Sequence, residues 1–322
     1  MKMKISSVSI LNRIQEISAI WPWNGRREQI LEGAEKRGLV SVITPVFNGE
    51  RYVSRLLQSV LDQTYPHVEM ILVDDGSEDG TVLAAERYGE AFARRGWRYE
   101  IVRAPHKNAS AALNRGLPLV RGTYLIWPDG DDRLTPESIE LRVRFLLENP
   151  SYNCVRSLSS YFDDKTGLPL QREERQGDLT KELLFWDVLE AKTFVCCGCY
   201  MLKTRPFFEI YPDRRIPEYD VGQNFQMLLP FLYRYPCPTI RRELYEVAVR
   251  DGSSSRRNLT EEERLRRCKA FEQLVDEIAA ICGIRDRASE RRLLWWKMLR
   301  RLDLVRSAER RCQAVKTLWS GD

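Results

Sequence analysis

The sequence predicts an α/β fold in which a mostly parallel sheet is flanked by helices and followed by a helical C-terminal region. Three observations predict this fold. Apolar runs rich in β-branched residues alternate with segments of helical periodicity between residues 39 and 135. Helical periodicity continues from residue 260 to the C-terminus. Of the 322 residues, 43% are hydrophobic and 30% are charged, which suits a folded chain with a sizeable core.

Four short apolar runs are the predicted strands of the first half. Residues 39–44 form the first run, which ends at Pro45 and is typical of a buried parallel strand. The other predicted strands are 68–73, 97–102 and 123–127, with helices between them at 49–63, 81–95 and 110–120. This alternation requires right-handed crossovers. Because ligands bind at the carboxyl ends of the strands in such sheets, we expect the functional residues there.

The chain divides into three predicted regions. Residues 1–38 are an N-terminal extension with a short amphipathic helix, residues 39–255 are the main domain, and residues 256–322 are a basic helical region. The main domain has a first half, 39–135, and a second half, 136–255. In the second half, helices are predicted at 183–191 and 223–233, a strand at 239–249, and a serine-rich loop at 251–257. Thr260 and Glu263 have the spacing of a capping box, which predicts a helix start.

Charge and cysteine usage bear on the class of protein. The net charge of +5 is too small to indicate a nucleic-acid partner, and we expect none. Cys196, Cys197 and Cys199 cluster, but the chain has only two histidines, so reduced thiols are favoured over a zinc site. No signal peptide and no apolar stretch of about 20 residues is evident, so the sequence predicts a cytoplasmic protein.

The strongest local motif is an acidic segment after the fourth predicted strand. Residues 127–132 are Trp-Pro-Asp-Gly-Asp-Asp, with carboxylates at Asp129, Asp131 and Asp132. Neighbouring carboxylates repel one another, and Mg²⁺ or Mn²⁺ held together with a diphosphate would relieve that repulsion. The alternative interpretation is an acidic turn that caps the helix after Pro136.

Two other turns follow predicted strands in the same way. Asp74 and Asp75 precede a glycine-rich turn, and a carboxylate there can accept hydrogen bonds from a base and a ribose. Asp79 and Thr81, farther along this turn, are explained by helix capping. Phe47 lies in the turn after the first strand and could pack on a nucleotide base.

Taken together, four segments in this order and spacing resemble glycosyltransferase family 2, whose members have the GT-A fold. The segments are residues 40–48, 59–66, 73–81 and 114–131, so the resemblance runs from residue 39 to about 150. It implies a Rossmann-like sheet and an inverting transferase that uses a nucleoside-diphosphate-sugar donor, first of all a UDP-sugar. It also implies Mg²⁺ or Mn²⁺ as the cofactor. A saccharide or lipid-linked acceptor, in cell-surface polysaccharide or glycoconjugate assembly, is the family-level expectation.

The resemblance assigns roles to residues in the three turns. It implies that Asp75 holds the nucleotide base and that Pro45 and Phe47 line the nucleotide pocket. It implies that Asp129 and Asp131 contact the ribose and the metal-bound diphosphate.

Further candidates from the resemblance lie near or beyond these turns. Asn114 lies in a matching segment and is a candidate for donor binding. Residues 107–109, Lys-Asn-Ala, stand where the family commonly has a glycine, and Lys107 would favour a phosphate. Asp132 is expected to support the metal site or to act through a water. Arg250, before the serine-rich loop, resembles the family's closing loop and is predicted to clamp the diphosphate.

The general base that inversion requires is predicted in residues 217–226. This segment resembles a Glu-Gly-Gln-Asn-x-Gln segment of some family members, but Val221 stands at the position of that glutamate. Asp220 is the first candidate and Glu218 is the second. Either residue could instead cap the helix predicted at 223–233.

The basic C-terminal region allows two interpretations. From Arg285 to Lys316 there are eleven basic and four acidic residues, interleaved with apolar residues that include Trp295 and Trp296. One interpretation is a peripheral contact with the inner face of the cytoplasmic membrane. The other is that one face packs on the main domain and the cations are solvated.

Two other functions compete with the transferase. A nucleotidyltransferase tends to carry a glycine-rich, basic loop after the first strand, which residues 44–49 lack. A non-catalytic nucleotide-sugar-binding protein derived from the same fold is favoured only by Val221. The carboxylates of Asp75, Asp129 and Asp131 oppose that alternative.

Overall fold

The computed structural model describes residues 38–171, 177–250 and 259–320, with side chains except at position 223 and at 307–320. The predicted N-terminal helix and the serine-rich loop lie outside the described residues. Residues 39–322 belong to one compact unit, and the architecture below is part of it.

The described strands form one sheet. They are β1 (Val40–Val46), β2 (Val68–Asp74), β3 (Tyr99–Arg103), β4 (Tyr124–Ile126), β5 (Arg133–Leu134), β6 (Cys154–Asp163), β7 (Pro169–Leu170), β8 (Tyr200–Lys203) and β9 (Thr239–Val249). The order is β3-β2-β1-β4-β8-β6-β9-β5, and β7 pairs with β6. Strands β1 to β4 are parallel, which agrees with the prediction for the first half. In the second half, β8 runs antiparallel to β4 and β6, whereas β9 runs parallel to β6.

The described α-helices alternate with the strands in the first half and follow the sheet at the C-terminus. They are α1 (Val53–Leu61), α2 (Thr81–Glu86), α3 (Gly89–Arg94), α4 (Ala109–Gly116), α5 (Ser138–Glu148), α6 (Phe185–Leu189), α7 (Thr204–Ile210), α8 (Gln223–Arg234), α9 (Glu261–Cys282) and α10 (Arg287–Ser320). The α/β prediction with a helical C-terminal region is therefore confirmed.

Besides the short strand β5, which was not predicted, the first half differs from the prediction in three details. The helix predicted at 81–95 is two helices, because the chain turns before Gly89, a poor helix former. The helix predicted at 110–120 ends at Gly116 and continues as a 3₁₀ turn that contains Pro118. Strand β1 continues through Pro45 to Val46. Beyond Val42 it pairs with β2 alone, so proline is tolerated there.

Strand β6, which lies beside β9, was not predicted. Arg156 and Ser157 interrupt its apolar pattern, yet both side chains are fully buried. The Arg156 guanidinium donates hydrogen bonds of 2.9 Å to Thr193 and Thr239, which offsets part of the cost of burying it. Such polar burial is not evident from the local sequence.

The C-terminal helices confirm the predicted start of this region. Thr260 accepts a hydrogen bond from the Glu263 N–H, and the Glu263 side chain accepts one from the Thr260 N–H, as in a capping box. Gly283, in the left-handed conformation, ends α9 and separates it from α10. Within the described residues, no helix combines the length and the apolar character needed to cross a bilayer.

Candidate functional site

The turns after β1, β2 and β4 meet at one edge of the sheet. The Asp75 N–H donates to the Val46 carbonyl at 2.8 Å, and the Asn48 N–H donates to the Ser77 hydroxyl at 2.9 Å. The Thr44 hydroxyl donates to the Pro128 carbonyl at 3.0 Å. Because parallel strands end at the same edge, the three predicted motifs are brought together as expected.

One end of this edge, called the nucleotide end after the role predicted for it, is formed by Asp75, Phe47 and a loop that precedes α4. Asp75 is buried, and its carboxylate accepts the Lys107 N–H at 3.1 Å and lies 2.9 Å from Nδ1 of His106. The His106 ring stacks on Phe47 with 3.8 Å between ring centroids. Gly76 has a φ of 74°, and a Cβ there would lie 2.6 Å from the His106 backbone nitrogen. His106 was not predicted as a site residue.

The opposite end holds the Asp129–Asp131 pair. Burial, and then the charge of Asp131, raise the pKa of Asp129 to about 6, although a hydrogen bond with the Cys197 thiol acts in the other direction. The Asp131 carboxylate forms an ion pair of 2.8 Å with Arg250, and its backbone carbonyl accepts a hydrogen bond from Arg55. Arg250 is thus next to the acidic pair, as the predicted diphosphate clamp requires.

Asp132 has a supporting position. It is buried, and its carboxylate accepts hydrogen bonds of 2.8 Å from the Tyr245 hydroxyl and from the Ala248 N–H of β9. Burial, followed by the charges of Asp129 and Asp131, raises the pKa of Asp132 well above its usual value. The alternative that this acidic segment caps the next helix is wrong, because α5 starts without a side-chain cap.

The acidic pair suits a divalent metal that binds together with a diphosphate. Within the described residues, no group of three or more His, Cys, Asp or Glu side chains is placed to hold a metal ion. Mg²⁺ is commonly held by one or two carboxylates plus substrate phosphates, which is the ligand set that Asp129 and Asp131 would provide. Burial and the charge of Asp131 raise the pKa of Asp129, and a cation bound to both carboxylates would act in the opposite direction.

Residues from distant parts of the chain support Asp129. The Tyr245 hydroxyl accepts a hydrogen bond of 3.0 Å from the Asp129 N–H. A Cβ on Gly198 would overlap the Tyr245 ring, so only glycine fits between Cys197 and Cys199. The buried Arg142 donates to the Gly198 carbonyl at 2.8 Å, and burial lowers the pKa of Arg142 to about 10. The cysteine cluster is the one signal in the sequence for these supporting residues, and its pattern suggests thiols or zinc and not a support for Asp129.

Glu218 is held by three donors. Its carboxylate pairs with Lys107 and with Arg215, at 2.9 Å from the latter, and accepts a hydrogen bond of 3.1 Å from the Asn114 amide. The hydrogen bond from Lys107, then that from Asn114, lowers the pKa of Glu218 to about 2. Such a carboxylate is a weak base. Asn114 also bonds the Ile216 backbone at 2.8 and 2.9 Å, so it positions this segment, and its role in donor binding stays a prediction.

Asp220 is exposed and accepts a hydrogen bond of 2.9 Å from the Asn108 amide. The alternative that Asp220 or Glu218 caps the next helix is wrong. The N-cap of α8 is Gly222, with a φ of 64° and no side-chain cap. Val221, at the position of the family's glutamate, is buried.

The loop before α4 connects Asp75 with the segment that contains Glu218 and Asp220. Three consecutive residues of the loop each contact a different predicted carboxylate: His106 contacts Asp75, Lys107 contacts Glu218 and Asn108 contacts Asp220. The loop therefore joins the nucleotide end to the segment that contains the candidate bases.

Comparison with protein families and known relatives agrees with this geometry. Residues 41–210, more than half of the chain, match the family model described as Glycosyl transferase family 2. The putative teichuronic acid biosynthesis glycosyltransferase TuaG of Bacillus subtilis is 34% identical over 135 residues, which cover 42% of this chain and 51% of TuaG. The putative glycosyltransferase EpsE of the same organism is 35% identical over 126 residues, which cover 39% of this chain and 44% of EpsE. The chain thus matches about half the length of these relatives.

Solved structures share the fold. Staphylococcus aureus TarS 1–349 in complex with UDP-GlcNAc has a TM-score of 0.61 at 18% identity, over 82% of this chain and 73% of that one. The mannosyltransferase PcManGT of Pyrobaculum calidifontis, in complex with GDP-Man and Mn²⁺, has a TM-score of 0.57 at 18% identity, over 98% of this chain and 83% of that one. These likenesses confirm the predicted GT-A fold.

Proposed function

Since the chain belongs to glycosyl transferase family 2, we propose that it is a glycosyltransferase that moves a sugar from a nucleoside-diphosphate-sugar donor to an acceptor hydroxyl. We propose that the transfer inverts the sugar carbon and uses a divalent metal. The observation that carries the proposal is the meeting of buried Asp75 with the Asp129–Asp131 pair at one edge of the sheet. The end with Asp75 suits a nucleotide base, and the end with Asp129 and Asp131 suits a diphosphate.

At the nucleotide end, the donor replaces contacts that the protein makes with itself. The Asp75 carboxylate, which now accepts the Lys107 N–H, accepts hydrogen bonds from the base instead. Phe47, now stacked with His106, offers its ring to the base, so the loop before α4 moves when the donor binds. A UDP-sugar is our first choice of donor. It is supported by the likeness to TarS, whose structure holds UDP-GlcNAc.

At the diphosphate end, Asp129 and Asp131 would hold Mg²⁺ or Mn²⁺. The metal, when bound, neutralises charge on the diphosphate leaving group. Arg250 leaves its ion pair with Asp131 and donates to the diphosphate. The Mn²⁺ in the structure of PcManGT supports this cofactor.

We assign the general base to Asp220. Its carboxylate takes the proton of the acceptor hydroxyl while that oxygen attacks the sugar carbon and the diphosphate leaves. The Asn108 amide, which donates to Oδ1 of Asp220, orients this carboxylate. Glu218 stays the second candidate, but its pKa of about 2 and its two cationic partners favour a positioning role.

The acceptor is proposed from the relatives. TuaG is named for teichuronic acid biosynthesis, and TuaG and EpsE are both named as putative glycosyltransferases. We propose a saccharide or lipid-linked acceptor in cell-surface polysaccharide or glycoconjugate assembly.

A thermal-shift experiment tests the donor site. UDP with Mn²⁺ should raise the Tm by several degrees, because a ligand at a hundred times its Kd stabilises the native state by about 2.7 kcal/mol. UDP with a chelator should raise it far less. Asp131→Asn should fold and lose the metal-dependent part of the shift, as well as about 10²- to 10³-fold in turnover. An equal shift with metal and with chelator would remove the metal from the proposal.

Glu190→Gln is the matched control for Asp131→Asn. Glu190 is also a partly buried acid paired with an arginine, Arg292, but it lies after α6 and outside the site. It should retain the full metal-dependent shift. If both variants lose the shift equally, the effect reflects a general loss of stability and not the acidic pair.

A further inference from the structure

Over residues 287–306, where its side chains are described, helix α10 has two apolar faces, and one of them packs on the main domain and on α9. Leu293 and Trp296 are buried, and the Trp296 indole N–H donates to the Leu189 carbonyl at 2.7 Å. Arg292 on this side forms a two-point contact with Glu190, and Arg301 does the same with Glu272. The packed face therefore has its own apolar anchors and its own ion pairs.

The other face is an exposed apolar stripe. It consists of Leu294, Trp295, Met298, Leu299, Leu302 and Val305. Leu294 is 65% exposed and Trp295 is 58% exposed, whereas Trp296 is only 6% exposed. At 3.6 residues per turn, the six side chains fall within an arc of about 140°, on the side opposite to Leu293 and Trp296.

This stripe is unusual within the described part of the chain. Fourteen large hydrophobic side chains are exposed there, and six of them lie in these twelve consecutive residues. Single exposed apolar residues are ordinary on a protein surface, but a contiguous stripe indicates an interaction surface. One face does pack on the domain, as one of the two sequence interpretations has it, but this packing leaves the apolar stripe uncovered.

The charges around the stripe identify the partner. Arg287, Arg291 and Arg306 are exposed and fall in the same arc as the stripe. From Arg285 to Lys316 the chain has eleven basic and four acidic residues, so two copies of this helix would repel each other. An anionic lipid surface accepts both the apolar side chains and the arginines, and tryptophan is enriched at the bilayer interface.

We propose that α10 lies in the plane of an anionic membrane surface, with the apolar stripe inserted among the lipids and the arginines at the headgroups. The stripe covers only part of the helix circumference, and charged residues occupy much of the rest. A helix of this kind lies on a bilayer and does not cross it. This surface is separate from the donor site, so its test does not depend on the proposed transfer.

The test is sedimentation of the full chain with vesicles of phosphatidylcholine, with or without 30% phosphatidylglycerol. The protein should sediment with the anionic vesicles, and binding should fall in 0.5 M NaCl because ion screening weakens the arginine contacts. Leu294→Glu combined with Leu299→Glu should lower the partition coefficient about tenfold or more, because two inserted apolar side chains are lost. Arg287→Gln combined with Arg291→Gln should lower binding only to the anionic vesicles.

The matched control is Leu83→Glu combined with Leu147→Glu, at exposed leucines of α2 and α5. This control should bind vesicles like the wild type. Unchanged Tm and UDP binding in every variant show that the fold is intact. Equal binding to neutral and anionic vesicles, equal binding by the stripe variant, or a dimer that the stripe variant abolishes would each overturn the proposal.

Discussion

The carboxylates of the donor edge and those of residues 217–221, the acceptor segment, are held in place by different means. Asp75 and Asp129 follow buried parallel strands whose ladders fix the backbone. The acceptor segment lies in no strand or helix, and it is preceded by Arg214 at a φ of 55°. Glu218 and Asp220 are located there by side chains of the loop before α4.

This difference implies that one region is fixed and that the other can change when the loop before α4 moves. A site fixed by strands is preorganised, so under the proposed function its carboxylates would keep their positions when the donor displaces the side chains around them. A site fixed by side-chain hydrogen bonds responds when the loop moves. If the donor displaces His106 from Phe47, the neighbouring Lys107 and Asn108 move as well, and the acceptor segment is adjusted only when donor is present.

The largest effect is expected for the candidate base. Asp220→Asn should lower kcat by about 10²- to 10⁴-fold, because the acceptor hydroxyl loses its proton acceptor. Binding of UDP with Mn²⁺ should be retained, since the donor edge is held independently. Steady-state kinetics and calorimetric titration of the same preparation measure both quantities.

Asp213→Asn is the control for Asp220→Asn, because Asp213 is an exposed acid shortly before the same segment. It should leave kcat and donor binding unchanged. Normal turnover by Asp220→Asn would transfer the role to Glu218 or, if Asp213→Asn is the slow variant, to Asp213.

A smaller effect is expected where distant residues support the donor edge. Gly198→Ala should destabilise the protein by about 1–3 kcal/mol, because its Cβ would overlap the Tyr245 ring and force the ring to shift. The shift should also weaken binding of UDP with Mn²⁺, since Tyr245 contacts Asp129 and Asp132. Urea unfolding and calorimetry measure the two effects.

Gly89→Ala is the control, because an added Cβ at Gly89 meets nothing within 4 Å and the residue is helical. It should be neutral or slightly stabilising. If Gly198→Ala were as stable as the wild type, the packing of Tyr245 against Gly198 would not be needed to hold the donor edge.

The last effect, which is confined to part of the pH range, is a difference in pH dependence between the two regions. Because the pKa of Asp129 is raised, its carboxyl group favours the folded state at pH values below its ordinary pKa of 3.8. This contribution to stability is lost as the pH rises through about 6. Relative to the wild type, Asp129→Asn should therefore gain on the order of 1–3 kcal/mol between pH 4 and 7 in the absence of metal. Urea midpoints across this range measure the gain.

Glu218 should behave in the opposite way. Its lowered pKa means that its contribution is present above the ordinary value of 4.5 and is lost as the pH falls toward about 2. The stability difference between Glu218→Gln and the wild type should then be nearly constant above pH 5.5. A gain for Asp129→Asn that does not vary with pH would contradict the raised pKa of Asp129.

The sequence by itself determined the parallel first half, the three turns at one edge and the capping box of α9. Each of these depends on local information, namely the period of apolar residues and the residue types in a turn. The location of Asp75 and Asp129 was predictable for the same reason, because a parallel strand that is followed by an acid places that acid at a known edge, whereas their role toward a donor stays a prediction.

Only the tertiary structure decided how these residues are supported. The contacts of Lys107 with Glu218 and of Asn108 with Asp220 join residues 111 and 112 positions apart, and no local pattern encodes such a pairing. The same holds for Tyr245 behind Asp129, which lies 116 positions away. For α10, the sequence contained the apolar residues, but only packing on the domain decided that Trp296 is buried and that Trp295 is exposed, because one helix can dock only one of its two faces.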